Sequence, residues 1–154
     1  MLRDGQLAVD GHNVLITIES ALSGRPLISS NDRFIRDISG LSGNFKKTGT
    51  TEEAIRLILD FLEEAKPSHT LFLFDAPISK SGLLAREVRD RIKDRDLSGD
   101  ARAVRVPEEI LIGFRGIVAT SDTAIIDRSP KVIDLAGHII RNRIKPKSLL
   151  AWKL

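Results

Sequence analysis

The chain has no cysteine, no tyrosine and a single tryptophan among its 154 residues. Without a thiol there is no disulfide, no thiolate metal centre and no cysteine nucleophile. The histidines His12, His69 and His138 are too scattered to form a zinc-ligand spacing, which argues against zinc as well. Aromatics make up 5% of the chain, which disfavours recognition through base-stacking platforms and favours contacts to a phosphate backbone. No apolar stretch approaches the roughly 20 residues needed to cross a bilayer. The start of the chain, where Arg3-Asp4 precedes a short run ending in Asp10, carries no secretory pattern. A GxSxG elbow, a Walker A loop and a GxGxxG fingerprint are also missing, so serine-hydrolase, P-loop and dinucleotide-binding readings fall away. These absences predict a soluble, cytoplasmic protein with no membrane partner.

What is present fits one domain over residues 1–154: 42% hydrophobic residues, enough for a buried sheet with helices on its faces, and 29% charged ones. The net charge of +3 is unevenly spread. Arg86, Arg89, Arg91, Lys93 and Arg95 crowd one segment, and Arg141, Arg143, Lys145 and Lys147 another. Such clusters suit a polyanionic partner, or are simply solvated helix faces.

Three short apolar runs each end in an aspartate: Leu7-Ala8-Val9-Asp10, Leu71-Phe72-Leu73-Phe74-Asp75 and Ile117-Val118-Ala119-Thr120-Ser121-Asp122. Between them the periodicity is helical. Val14, Ile18, Ala21 and Leu22 share a face before Gly24. Residues 27–49 are the least regular and predict a short helix followed by a loop. Thr50-Thr51-Glu52-Glu53 has the form of a capping box for a helix running to about Lys66, ahead of Pro67. A polar helix follows Ser79-Lys80-Ser81-Gly82 and runs to about Asp94, residues 101–106 alternate as a strand, and Glu108–Phe114 forms a short helix or lid. A last helix is predicted from about Pro130 to Arg143. The order β-α-α-β-α-β-β-α implies an α/β fold with a mainly parallel sheet of four to five strands and right-handed crossovers.

In such a sheet Asp10, Asp75 and Asp122 all emerge at the carboxyl edge, where open α/β folds place their sites. Clustered carboxylates suggest a Mg²⁺ or Mn²⁺ site, the usual equipment for cutting a phosphodiester bond. Asp10 alone is equally well read as a residue ending a strand and capping a turn, whereas Asp75 ends the most apolar run, where a charge is costly to desolvate unless it meets a cation or a donor. Asp127 is a fourth candidate, for a second ion or a water, or else a partner of Arg128 or a cap for the helix at Pro130. Asp134 either points toward the sheet edge or lies exposed on the last helix. Ser79 and Lys80 supply a hydroxyl and an ammonium for a phosphate, or form an ordinary helix start. His12 is placed to protonate a leaving oxygen or contact substrate, or is a passive loop histidine. Glu19, Asp32 and Asp37 are further acids that spacing does not decide among.

Taken together, Val9-Asp10-Gly11-His12-Asn13, Leu73-Phe74-Asp75 and Val118-Ala119-Thr120-Ser121-Asp122 resemble the PIN-like superfamily, especially its NYN branch, over about residues 6 to 140. The resemblance implies a three-layer Rossmann-like fold and a Mg²⁺- or Mn²⁺-dependent endoribonuclease acting on RNA. It implies that Asp10, Asp75 and Asp122 match the metal-binding acids and Asn13 the helix-start asparagine, with Ser121 beside them, and that the protein forms a homodimer. One departure is Ala124, which stands where that branch often has an acid and leaves Asp127 as the nearest substitute. The alternatives are a non-catalytic RNA-binding or adaptor module on the same fold and, last, a metal-dependent phosphatase. The phosphatase reading lacks the second aspartate, since Pro77 stands there.

Overall fold

Each long apolar run becomes a parallel strand whose side chains are buried on both faces of one sheet. The computed structural model describes residues 2–38, 45–144 and 149–151. Strand β1 (Gln6–Asp10) leads into helix α1 (Gly11–Leu22), followed by β2 (Leu27–Ser29), β3 (Ile35–Asp37) and α2 (Gly49–Ala65). Then come β4 (His69–Asp75), α3 (Ser81–Asp94), β5 (Gly99–Val104), α4 (Pro107–Gly113) and β6 (Ile117–Ala119). The chain continues through α5 (Thr123–Asp127), β7 (Val132–Ile133), α6 (Leu135–Ile139), a π-helical turn over Ile140–Ile144, and β8 (Leu149–Ala151).

The main sheet has five strands in the order β5-β4-β1-β6-β7, and every neighbouring pair in it is parallel. The chain winds outward from β1 in one direction and then returns to wind in the other. The order therefore reverses between β1 and β6, the point at which open α/β sheets form a crevice at their carboxyl edge. Alternation along the strands sorts the core into two layers. Leu7, Val9, Phe72, Phe74, Ala101, Ile117 and Ala119 face α1, α2, α3 and α6. Ala8, Leu73 and Val118 face Leu111 of α4 and Ile125 of α5. Among the described residues no helix is long and apolar enough to cross a membrane.

Three expectations are corrected. Residues 27–37 form an antiparallel hairpin, not a helix, and β2 also pairs with β8 to give a small second sheet in the order β3-β2-β8. Leu41, read as part of that region, lies outside the described residues. Helix α2 starts two residues earlier than the sequence suggests. Thr48 is its N-cap, accepting from the Thr50 amide, while the Thr51 hydroxyl accepts from the Thr48 amide. The continuous helix expected from Pro130 is replaced by β7, which extends the sheet beside β6, and by α6, which begins only after Asp134. Asp134 is no exposed helical residue. It caps Gly137 through Oδ1 at 2.9 Å and holds the Ile35 amide of β3 through Oδ2 at 2.9 Å, tying the hairpin to α6.

Gly11 marks where β1 meets α1 against β4. A Cβ there would run into the Phe74 ring and lie 2.8 Å from the Leu73 carbonyl oxygen. Backbone cannot move aside as a side-chain tip can, so Gly11→Ala is expected to lower stability by about 2–3 kcal/mol, read by urea denaturation.

Candidate metal centre

Asp10 is the last residue of β1 and the residue before α1, and Asp75 is the last residue of the adjacent β4. Asp122 stands on the loop after β6, on the other side of β1, and caps α5 by accepting from the Ala124 and Ile125 amides at 2.8 and 3.3 Å. The three open onto one cleft of about 320 Å³, lined also by His12, Asn13, Arg105, Val106, Pro107, Glu108 and Ile125. The cleft lies at the reversal of strand order, where the topology leads one to look for a ligand site.

Asp10 carries the strongest electrostatic signature. Burial, followed by the charges of Asp122, Asp75 and Glu108, pushes its carboxyl from an ordinary 3.8 up to about 7, against a lowering hydrogen bond from Thr120. Thr120 Oγ1 donates to Asp10 Oδ2 at 2.8 Å and accepts from the Asp122 amide at 3.0 Å, so one hydroxyl links the first and third aspartates. Burial also raises Asp75.

Asn13 completes the frame. Its Oδ1 accepts from the Ser121 amide at 2.9 Å and the Ser121 hydroxyl at 3.1 Å. A backbone N–H can only donate, so the amide's orientation is fixed with its oxygen toward Ser121. Ser121 is buried and faces Asn13; it is part of the framework and does not line the cleft.

His12 is buried, with its ring edge-on to Phe45 and Phe74 at centroid distances of 5.1 and 5.2 Å. Its Nδ1 accepts the Asp75 amide at 3.1 Å, and burial lowers its pKa to about 4. The ring is therefore neutral near pH 7, and its 3.8 Å approach to Asp75 Oδ2 is not an ion pair. His12 lines the cleft as a neutral imidazole that also pins the end of β4. Its buried Nε2 has no hydrogen-bond partner among the described residues.

Other candidates are not brought to the cleft. Ser79 and Lys80 are exposed in the turn before α3 and do not line it. Asp127, at the last position of α5, is exposed and also off the cleft. Glu19 is buried under Thr51, whose hydroxyl donates to it at 2.7 Å. Asp37 accepts from the Ser20 hydroxyl at 2.5 Å, and Asp32 grips Arg36. The basic run on α3 is largely neutralised, with Arg89 on Asp100, Arg91 on Glu87 and Arg95 on Asp60 and Glu63. Lys145 and Lys147 lie outside the described residues.

Sequence reasoning missed Glu108 and Arg105. Both sit where β5 gives way to α4, beside the Asp75 strand. Glu108 follows Pro107 in the first helical turn, where an acid is ordinary enough to attract no notice. Its position one strand beyond Asp75 was the available signal.

The donor set consists of hard carboxylate oxygens, which fits Mg²⁺ or Mn²⁺. Among the described residues no three His, Asp or Glu side chains are gathered closely enough to cage an ion. Mg²⁺ keeps several waters and takes one or two carboxylates, so its coordination does not need a closed protein cage.

The chain is an α/β domain with a parallel five-stranded sheet and a carboxylate-lined cleft at its switch point. The chain belongs to the family described as Domain of unknown function (DUF5616), whose model matches residues 1–138. It is 32% identical over 134 residues to "Uncharacterized protein MJ0935" of Methanocaldococcus jannaschii, covering 86% of this chain and 64% of that protein. The chain thus spans slightly less than two thirds of the length of that relative. No solved structure matches it.

Proposed function

We propose that the protein is a Mg²⁺- or Mn²⁺-dependent endoribonuclease on a PIN-like fold, hydrolysing RNA phosphodiester bonds in the cleft at the ends of β1, β4 and β6. The observation that carries this is the convergence of Asp10, Asp75, Asp122 and Glu108 on one cleft, where burial and mutual repulsion push Asp10 up to about 7. A divalent cation relieves that repulsion, and these acids are the residues that would hold it. When bound, the ion supplies Lewis acidity toward water and toward a phosphate oxygen.

The chain's own contribution is placement. Thr120 fixes the Asp10 carboxylate, and Asn13, with its oxygen committed to Ser121, turns its amide nitrogen away from that loop. Arg105 lines the cleft and makes no ion pair among the described residues, which leaves its guanidinium for the RNA backbone. Val106, Pro107 and Ile125 give the cleft an apolar wall.

The second reading is a non-catalytic RNA-binding module. It is favoured by the engagement of Asp122 Oδ1 in capping α5 and by the open spacing of the acids. Calorimetric titration of Mn²⁺ into wild type, Asp10→Asn, Asp75→Asn and Asp122→Asn, followed by incubation with single-stranded and hairpin RNA, separates the two. Binding and cleavage should vanish together in all three variants. Salt-sensitive RNA binding that survives Asp75→Asn, with no cleavage under any metal, selects the second reading.

A further inference from the structure

Asp122 stands on a loop and not on a strand, so its place in the cleft depends on what grips residues 120–122. Three groups do so. Thr120 Oγ1 takes the Asp122 amide, Asn13 Oδ1 takes the Ser121 amide, and Arg36 Nε donates to the Ser121 carbonyl at 2.8 Å. The first lies within the loop itself and is tied to β1 through its bond to Asp10, and the second belongs to α1. The third comes from β3, in the hairpin outside the parallel sheet.

We propose that Arg36 is a positioning residue for the cleft: by holding the Ser121 carbonyl it fixes the loop that presents Asp122. This rests on the reading of the cleft as a metal centre. The geometry is that of a fork with every branch committed. Nη1 and Nη2 donate to Asp32 Oδ1 and Oδ2 at 3.0 and 2.7 Å, which sets the plane of the guanidinium and turns Nε toward Ser121. Asp32 Oδ1 also accepts the Phe34 amide at 3.0 Å, so the carboxylate that aims Arg36 is itself held by the hairpin turn. The guanidinium carbon lies 5.7 Å from the centre of the Phe34 ring, a weaker supporting contact.

The hairpin gives this grip a fixed base. Asp134 holds the Ile35 amide, the neighbour of Arg36 in β3, and so ties the strand to α6. The Ser121 peptide is therefore clasped from opposite ends, its N–H by α1 and its carbonyl by β3. An ammonium cannot substitute, because a single nitrogen cannot grip both oxygens of Asp32 and reach the Ser121 carbonyl as the rigid fork does.

The test compares Arg36→Met and Arg36→Lys with Ser20→Ala, which removes a hydrogen bond between α1 and Asp37 of β3 without touching Arg36, Asp32 or Ser121. In metal-free protein, amide hydrogen exchange at Asp122, Ala124 and Ile125 should speed up at least tenfold in both Arg36 variants, with Leu73 and Phe74 of β4 unchanged. The Mn²⁺ dissociation constant should rise about tenfold or more in both, and Ser20→Ala should match wild type. Unchanged exchange at those three amides overturns the proposal, as does full recovery of Mn²⁺ affinity in Arg36→Lys or an equal loss in Ser20→Ala. Should wild type take no Mn²⁺, the metal reading falls, and the exchange measurement still decides whether Arg36 holds the loop.

Discussion

Asp10→Asn is expected to stabilise the metal-free protein at neutral pH while abolishing its thermal response to Mn²⁺. The folded-state carboxyl of Asp10 is raised from 3.8 to about 7, so the folded protein binds the proton more tightly than the unfolded chain. Stability from this group is complete below about pH 4 and is lost as pH rises through about 7. One unit corresponds to about 1.4 kcal/mol, so above pH 7 the ionised carboxylate costs the fold on the order of 4 kcal/mol. His12 works in the opposite direction. Its folded pKa of about 4 lies below the ordinary 6.5, so protonation is resisted in the folded state and stability rises with pH across that interval, by on the order of 3 kcal/mol. The two groups touch the same cleft and titrate over nearly the same range, so their slopes largely cancel in the wild type. Asp10→Asn removes the falling slope and exposes the rising one. Melting temperatures in a chelator between pH 4.5 and 8 should show the variant's advantage growing with pH. Added Mn²⁺ should raise the wild-type melting temperature and leave the variant unmoved. A constant gap between the two proteins across that range would mean that Asp10 does not ionise against its neighbours as the cleft implies.

The elements legible in the sequence were those whose local signal and tertiary role coincide. β1, β4 and β6 are apolar runs long enough, and punctuated sharply enough by Asp10, Asp75 and Asp122, to read as buried parallel strands. α3 declared itself through Leu84, Val88 and Ile92 at helical spacing. The hairpin β2–β3 was illegible because its strands are three residues each and are held by partners far along the chain: Asp134, Arg141 on the Arg33 carbonyl, and β8. No periodicity of two can be read from three residues. Val132-Ile133 fits an inward helical stripe and an edge strand equally well, and it was the free flank of β6 that decided for the strand. At α2 the box is formed by Thr48 and Thr51, hydroxyls alone, so the familiar threonine–glutamate pattern pointed two residues too far along.

The site was legible in the same partial way. Strand-end aspartates can be found from strand ends, and the structure brings Asp10, Asp75 and Asp122 to one cleft. Asp127 follows Asp122 closely in sequence, but α5 is a single short helix whose end leaves Asp127 exposed and off the cleft. The run of basic residues over 86–95 reads as a polyanion surface because, apart from Glu87 one helical turn from Arg91, the acids that meet it come from other elements. Asp60 and Glu63 come from α2 and Asp100 from β5, none of them near in sequence to the arginine each neutralises. Exposed ion pairs of this kind contribute little stability, yet they take up the charge of Arg89, Arg91 and Arg95.

Glu108→Gln is expected to weaken Mn²⁺ affinity 10- to 100-fold with the fold intact. Glu108 lines the cleft and its charge is one of those raising Asp10. Removing that charge should bring the Asp10 carboxyl down from about 7, observable by carboxyl-carbon NMR, while the weaker metal site lowers cleavage in proportion. The ordinary explanation of Glu108, an acid complementing the dipole at the start of α4, predicts only a few tenths of a kcal/mol of stability. Glu109 separates the two explanations. It occupies the same first turn, is exposed, and does not line the cleft. Glu109→Gln should therefore show the small dipole effect alone, with Mn²⁺ affinity and the Asp10 titration as in wild type. Equal behaviour of the two variants would remove Glu108 from the centre and leave three aspartates, one of them already engaged as a helix cap, to hold an ion. That outcome would weigh toward an RNA-binding module, because the cleft would then lack the fourth acid that draws the charge on Asp10 toward a cation.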